Sequence, residues 1–308
     1  MSIPQSLQRG LKAPVIVSPM FLASGPDLVV ETCRSGLIGT FPSLNQRTTQ
    51  GYEDWLAEIS GRLEGQDAAA FGVNLIVHRT NSRLEADLAV TVKHKVPLVI
   101  TSLGAVREVV DAVHSYGGLV FHDVISLRHA EKAAEAGVDG IIAVCAGAGG
   151  HAGLLSPFAL VPEIRAMFAG TVILSGAMST GAHVAAARLI GADFAYLGTR
   201  FLATPEAAVD PEHKRMIVDA HAADILYTPA ISGVNANFLI PSLMRKGLDP
   251  ANLQGHAKLD MNSEAKVWKD VWSAGQGVGS VHDIVPAAQL CGRLIAEYDA
   301  ARAGLAAE

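Results

Sequence analysis

Eight short runs of apolar, largely β-branched residues alternate along the chain with longer stretches that mix charged and apolar positions. In order they are APVIVSPM (13–20), GLIGTFPSLN (36–45), FGVNLIVH (71–78), VPLVITSLG (96–104), GLVFHDVIS (118–126), GIIAVCAG (140–147), TVILSGAM (171–178) and FAYLGTRFL (194–202). In each run apolar residues follow one another consecutively, not at every second position, which is the pattern of parallel strands covered on both faces. The stretches between them read as helices. Asn81 or Ser82 is placed to cap RLEADLAVTVKHK, and Ser126 to cap LRHAEKAAEAG, which Gly137 ends. Ser156 followed by Pro157 opens FALVPEIRAMFAG, with the proline where its missing N–H costs least. Strand and helix alternating over roughly 200 residues predict a (β/α)8 barrel, with a doubly wound open sheet as the alternative.

Past residue 203 the rhythm changes. PEAAVDPEHKRMIVDAHAAD reads as helix, ILYTPAISG as extended chain, and MNSEAKVWKDVWSAGQGVGSVHDIV as helix plus a glycine-rich turn. A last helix is expected near 283–302. No linker or low-complexity stretch divides the chain, so residues 1–308 are expected to form one barrel domain, with about 204–282 as an inserted or appended, mainly helical region.

Composition narrows the function classes. Half of the 308 residues are hydrophobic and the net charge is −6, without any block of basic residues, which argues against nucleic acid or an anionic membrane as partner. Cys33, Cys145 and Cys291 are widely spaced with no CxxC pair, so a disulfide framework is not expected and a reducing compartment is. The N-terminus has no long apolar segment and no stretch reaches transmembrane length, which makes the cytoplasm the expected location.

In a barrel of this kind the chemistry sits at the C-terminal ends of the strands. Those ends carry Pro19 and Met20, Asn45, Asn74, Ser102, His122 and Asp123, His151, Gly176 and Ala177, and Gly198 and Thr199. SGAMSTG and GTRF, after the last two runs, place small residues and the hydroxyls of Ser175, Ser179 and Thr199 where barrels of this class often hold a phosphate. His151 stands in CAGAGGHAG with glycines or alanine on either side, and an imidazole there is suited to accept a proton at cellular pH. The GxGxxA match from Gly147 to Ala152 is not a dinucleotide fingerprint, because five strands precede it and the next helix starts too late. Histidines 94, 114, 129, 183, 213 and 221 fall in helices and read as surface residues; His122 is balanced between site and scaffold. No metal-ligand spacing and no GxSxG element is present, and Cys145 reads as core.

PVIVSPM, FGVNL, AGGHAG, ILSGAM, GADFAYLGTRFLAT and VWSAGQGVG, in this order from about residue 13 to about 280, resemble the nitronate monooxygenases, formerly called 2-nitropropane dioxygenases. The resemblance implies an FMN-containing TIM barrel that oxidises alkyl nitronates or nitroalkanes with O2 to a carbonyl compound and nitrite, and it carries the expectation of a homodimer. It implies that Pro19, Met20 and Phe21 lie along the flavin ring, that Asn74 and Ile76 and then Gly150 approach it, and that Ser175, Gly176, Ala177, Gly198 and Thr199 hold the phosphate. His151 matches the catalytic histidine, and Gln276 would approach the cofactor from the appended region. Two positions depart from the family pattern. Ser18-Pro19 replaces glycines before the methionine, and Asp123 stands where some bacterial members carry a flavin-contacting lysine. A carboxylate at that cofactor position disfavours an anionic reduced flavin or nitronate; its other uses would be to orient an imidazole or to bind ribityl hydroxyls. Related FMN barrels include pyridine-nucleotide-dependent reductases of quinones and of enoyl thioesters, which supply the competing enzyme reading. A non-catalytic flavin-binding barrel and a colourless barrel that binds a phosphorylated metabolite are the others.

Overall fold

The computed structural model describes residues 3–104, 107–253 and 271–306. Strands β1 (Val15–Val17), β2 (Ile38–Pro42), β3 (Phe71–Ile76), β4 (Leu98–Ser102), β5 (Leu119–Val124), β6 (Gly140–Val144), β8 (Thr171–Ser175) and β9 (Phe194–Leu197) are all parallel and close into a barrel in that order. The intervening β7 (Gly150–His151) is not a barrel strand. This is the (β/α)8 barrel, not the open sheet.

Alternation along each strand builds two layers. Ile16, Ile38, Leu98, Ile100, Phe121, Ile142, Ile173 and Phe194 pack together inside the barrel, whereas Val15, Val17, Val73, Val99, Val120, Ile141, Val172 and Ala195 face the surrounding helices. Each side chain of this size, fully buried, contributes about 1.5–3 kcal/mol. The lower barrel is therefore a filled core, and free space begins only at the strand ends.

The helices are α1 (Pro26–Arg34), α2 (Thr49–Leu63), α3 (Leu84–Lys93), α4 (Arg107–His114), α5 (Leu127–Ala136), α6 (Pro157–Met167) and α7 (Gly181–Leu189), followed by the short α8 (Thr199–Leu202). Ser126 accepts from the His129 N–H and Gly137 closes α5 in the left-handed region, φ 88°. Ser156 caps α6, with Pro157 in its first turn. The expected cap of α3 is not found: that helix begins at Leu84 after Arg83. Asn81 instead accepts from the Arg83 N–H, 3.1 Å, and donates to the Ile76 carbonyl, 2.8 Å. Arg83 is itself held by both carboxylate oxygens of the buried Asp87, so the helix starts one or two residues later than the polar pattern suggests.

The region after the barrel holds α9 (Pro211–Asp219), a hairpin of β10 (Ile225–Thr228) and β11 (Ala236–Leu239), α10 (Ile240–Arg245) and a 3-10 turn at Gln276–Ser280. The extended reading of ILYTPAISG is thus met by β10. The helix expected in MNSEAKVWKDV falls mostly in 254–270, outside the described residues. The final helix, Ala287–Ala306, starts after Pro286 and packs on α7 and α1, so the chain end returns to the barrel wall.

Candidate active site at the strand ends

A cavity of about 1300 Å³ opens at the C-terminal end of the barrel. It brings together Pro19, Met20, Phe21, Asn74, Ile76, Asp123, Gly150, His151, Ser175, Gly176, Ala177, Gly198 and Thr199 in one lining. Gln276 is not part of that lining, although its neighbours Gly275 and Gly277 are. It is exposed, and its backbone N–H donates to the Gly147 carbonyl at 2.8 Å.

The histidine segment is held from outside the barrel. β7 pairs antiparallel with β11, Gly150 opposite Asn237 and His151 opposite Ala236. The Gly150 N–H donates to Ser273 Oγ, 2.7 Å, whose own hydroxyl donates to the Asn237 carbonyl, 2.6 Å. Asn237 Nδ2 donates to the Ala148 carbonyl, 2.6 Å, and Tyr227 OH to that of Ala152, 3.0 Å. His151 thus sits half-buried on a backbone fixed at both ends, and this fixing does not depend on its side chain. The glycines around it divide the work. A Cβ on Gly149 would stand 2.9 Å from Gly275 N, so this glycine allows two backbones to touch. Gly150 has φ +70° and would carry its Cβ into open space, so it combines a left-handed backbone with room on the cavity side.

Asp123 and its neighbours form the floor. Ser102, Asp123, Ser175 and Tyr196 follow the inward-facing Ile100, Phe121, Ile173 and Phe194 by two residues, so they point the same way. Asn74 Nδ2 donates to Ser102 Oγ, 2.8 Å, and Ser102 Oγ donates to Asp123 Oδ2, 2.5 Å. Burial pushes the Asp123 carboxyl up to about 6, with the Ser102 bond opposing. His122, one residue earlier, lies on the outer layer with its Nδ1 on Thr101 Oγ1, 2.8 Å, and burial lowers it to about 4. That makes His122 a neutral ring whose bond is to the scaffold, although it reaches the cavity rim. Asp123 therefore does not orient His122.

Ser175 and Tyr196 are register partners, so the loops after β8 and β9 lie side by side. A Cβ on Gly198 would stand 2.5 Å from Ser18 Oγ, which places the first strand against this pair of loops. Thr199 Oγ1 accepts from the Gly275 N–H, 2.8 Å, tying the appended region to the same corner. Ala177 adopts φ +51°, and Leu22 and Leu103, at φ +61° and +63°, also line the cavity. Non-glycine residues in that region carry strain, and here three of them surround one site. Asn45 does not line the cavity; it props the Met20 turn, accepting from the Leu22 N–H at 2.8 Å and donating to the Met20 and Ser24 carbonyls. Ala177→Gly is expected to raise stability by about 1 kcal/mol at most, the relief of left-handed strain less the added chain entropy. A urea midpoint at or below that of the parent would show that the strain at 177 does not exceed the entropy that glycine adds to the unfolded chain.

One histidine was misread from sequence. His213 is buried, not a surface residue; it stacks on Trp272 with ring centroids 4.9 Å apart, and both line the cavity. Burial lowers it to about 4, and Arg245 lies 3.6 Å over the other member of the stack. Tyr227, Asn237 and Ser273 were also not foreseen. Their partners lie from 36 to 123 residues away, and no local pattern marks them.

The family model described as nitronate monooxygenase matches residues 8–297. A nitronate monooxygenase of Paraburkholderia phytofirmans is 27% identical over 282 residues, covering 78% of this chain and 77% of that protein. A (3aS,4S,5R,7aS)-5-hydroxy-7a-methyl-1-oxo-octahydro-1H-indene-4-carboxyl-CoA dehydrogenase of Mycobacterium tuberculosis is 26% identical over 251 residues, covering 80% and 69%. Among solved structures, a nitroalkane oxidase from Streptomyces ansochromogenes superposes with TM-score 0.84 at 25% identity, over 98% of this chain and 100% of that one. FabK from Thermotoga maritima superposes with TM-score 0.82 at 23% identity, over 100% and 99%, and shares the fold. The chain belongs to the nitronate monooxygenase family and is a flavin-dependent oxidoreductase of that kind.

Proposed function

We propose that the protein oxidises alkyl nitronates, or the nitroalkanes from which they form, with O2 to a carbonyl compound and nitrite, using FMN held at the C-terminal end of the barrel. The observation that carries this reading is one cavity lined by an open left-handed glycine, a half-buried histidine and the small-residue loops after β8 and β9. FMN, when bound, supplies the electron transfer between nitronate and O2.

The fit of the residues to such a group rests on shape and chemistry. Gly150 leaves space where a flat ring needs it, and Gly198 lets Ser18 and Met20 close on the phosphate corner without a side chain between. Ser175, Gly176 and Ala177, with Gly198 and Thr199, would hold the phosphate. Pro19, Met20 and Phe21 would flank the ring, and the apolar part of the lining would exclude water from it. His151 would take the α-proton of a neutral nitroalkane on a ring nitrogen, or hydrogen-bond the oxygens of a nitronate.

The direct test is an anaerobic absorbance titration of the flavin-loaded protein with an alkyl nitronate. Bleaching of the flavin bands is expected. Unchanged bands would sink the nitronate reading and favour the second one, a pyridine-nucleotide-dependent reductase of quinones or enoyl thioesters, with NADH and NADPH as the next titrants. That alternative draws support from the cavity volume of about 1300 Å³, large beside ordinary ligand pockets of roughly 300–1,000 Å³. The similarity to a protein named for a carboxyl-CoA substrate points the same way.

A further inference from the structure

Two polar atoms on the cavity floor, Asp123 Oδ1 and Tyr196 OH, are buried and have no hydrogen-bond partner among the described residues. Both residues line the cavity. A buried polar atom left in this state is destabilising, so the pair marks a place suited to a group outside the described residues.

The hydrogen bonds behind Asp123 settle where its proton goes. Asn74 Nδ2 faces the Ile100 carbonyl oxygen at 3.2 Å, an acceptor only, so the amide orientation is determined. The same Nδ2 then donates to Ser102 Oγ, and the serine hydroxyl keeps its own hydrogen for Asp123 Oδ2. Oδ2 is thus an acceptor. A proton on this carboxyl resides on Oδ1, the oxygen that has no hydrogen-bond partner among the described residues.

We propose that Asp123 works in the loaded site as a neutral acid, donating from Oδ1, beside the Tyr196 hydroxyl, to an acceptor atom on the polar edge of the flavin, so that cofactor binding and proton uptake at Asp123 are a single event. The inference rests on the flavin reading above. It gives the acidic residue a use that charge alone does not: a carboxylate opposes negative charge on a ligand, whereas the carboxylic acid donates to it. The surroundings favour the neutral form. Among the described residues no ion pair offsets the burial of the carboxyl, and Tyr196, its titratable neighbour on the floor, is itself pushed well above its usual range by burial first and by the Asp123 charge second. Tyr196 therefore stays a neutral donor throughout. His122 on the same strand turns outward to Thr101. β6 offers only Ile142 and Val144 to the interior, and the other titratable groups that line the cavity are Arg47, His129, Lys132, His151, Asp210 and His213.

The test is a titration of apoprotein with FMN, read by quenching of free FMN fluorescence, from about pH 5.5 to about pH 8.5. For the parent, the ratio of its Kd to that of Asp123→Asn is expected to be flat below pH about 6 and to rise up to about tenfold per pH unit above it, because the proton must then be taken from solution; the ratio cancels the ionisation of the FMN phosphate, whose second pKa is also about 6. Asp123→Asn places an N–H where Oδ1–H would be and keeps a carbonyl for Ser102. Its Kd is expected to match the parent's at low pH and to vary with pH only through the FMN phosphate. Ser102→Ala removes the bond that holds the carboxyl down, and should move the break to higher pH. That shift also decides the matter if the asparagine variant fails to fold. A parent-to-Asp123→Asn Kd ratio that is flat across the range overturns the inference while leaving FMN as the cofactor. Failure to bind FMN at every pH overturns the flavin reading itself, and this inference with it.

Discussion

Replacing His151 by asparagine is expected to lower kcat/KM for a neutral nitroalkane by about 10²–10⁴-fold, the usual contribution of a positioned general base. The preformed nitronate anion should lose much less, because its proton is already gone. Asparagine is smaller than histidine but keeps hydrogen-bonding atoms near the backbone, so the variant separates proton removal from substrate contact. The fold should tolerate the change. The segment is held by the pairing of His151 and Gly150 with Ala236 and Asn237, and by the Gly150 N–H to Ser273, none of which uses the imidazole. Equal losses on nitroalkane and nitronate would turn His151 into a nitronate-binding group. An unchanged rate on the neutral nitroalkane would remove it from the chemistry altogether.

What was readable beforehand follows the reach of each interaction. The barrel was legible because its strands are buried on both faces, so each carries consecutive apolar residues, as in GIIAV, with all five residues of β6 buried. Strand ends were legible for the same reason: polar residues such as Asn74, Ser102 and Asp123 interrupt these runs at their C-terminal ends, where the cavity begins. The Ser126 and Ser156 caps were legible because a cap acts within one turn. Asn81 misled because its side chain was taken by an Arg83 N–H and an Ile76 carbonyl, and Arg83 was anchored by Asp87. His213 misled because its helix belongs to the appended region, and what buries it is Trp272, some sixty residues on, in a segment whose path no local pattern sets. The same applies to Asn237 and Ser273, which hold the histidine strand. A polar residue that bonds to backbone far away in sequence looks, in the sequence, like any other surface residue.

Gly275→Ala is expected to destabilise the protein by about 1–3 kcal/mol, the usual cost of overpacking, and to weaken FMN binding by about tenfold or more, equivalent to about 1.4 kcal/mol. The backbone itself would accept alanine, since Gly275 has φ −89° and ψ 166°. The conflict is steric. A Cβ there would lie 2.5 Å from the Gly147 carbonyl oxygen and 2.8 Å from Gly149 N, and neither is the flexible end of a side chain. Relief requires the loop before His151 and the turn after Ser273 to part. That breaks the bond from the Gln276 N–H to the Gly147 carbonyl and strains the one from the Gly275 N–H to Thr199 Oγ1, each 2.8 Å. One methyl group therefore disturbs the histidine strand and the proposed phosphate corner together, because this contact between backbones touches both. Gly279→Ala is the control within the same 3-10 turn. Its added Cβ would meet nothing closer than 3.9 Å, and its effect should stay within about 0.5 kcal/mol. If the two variants melt alike and bind FMN alike, the loops on either side of Gly275 move independently, and the appended region does not hold the site.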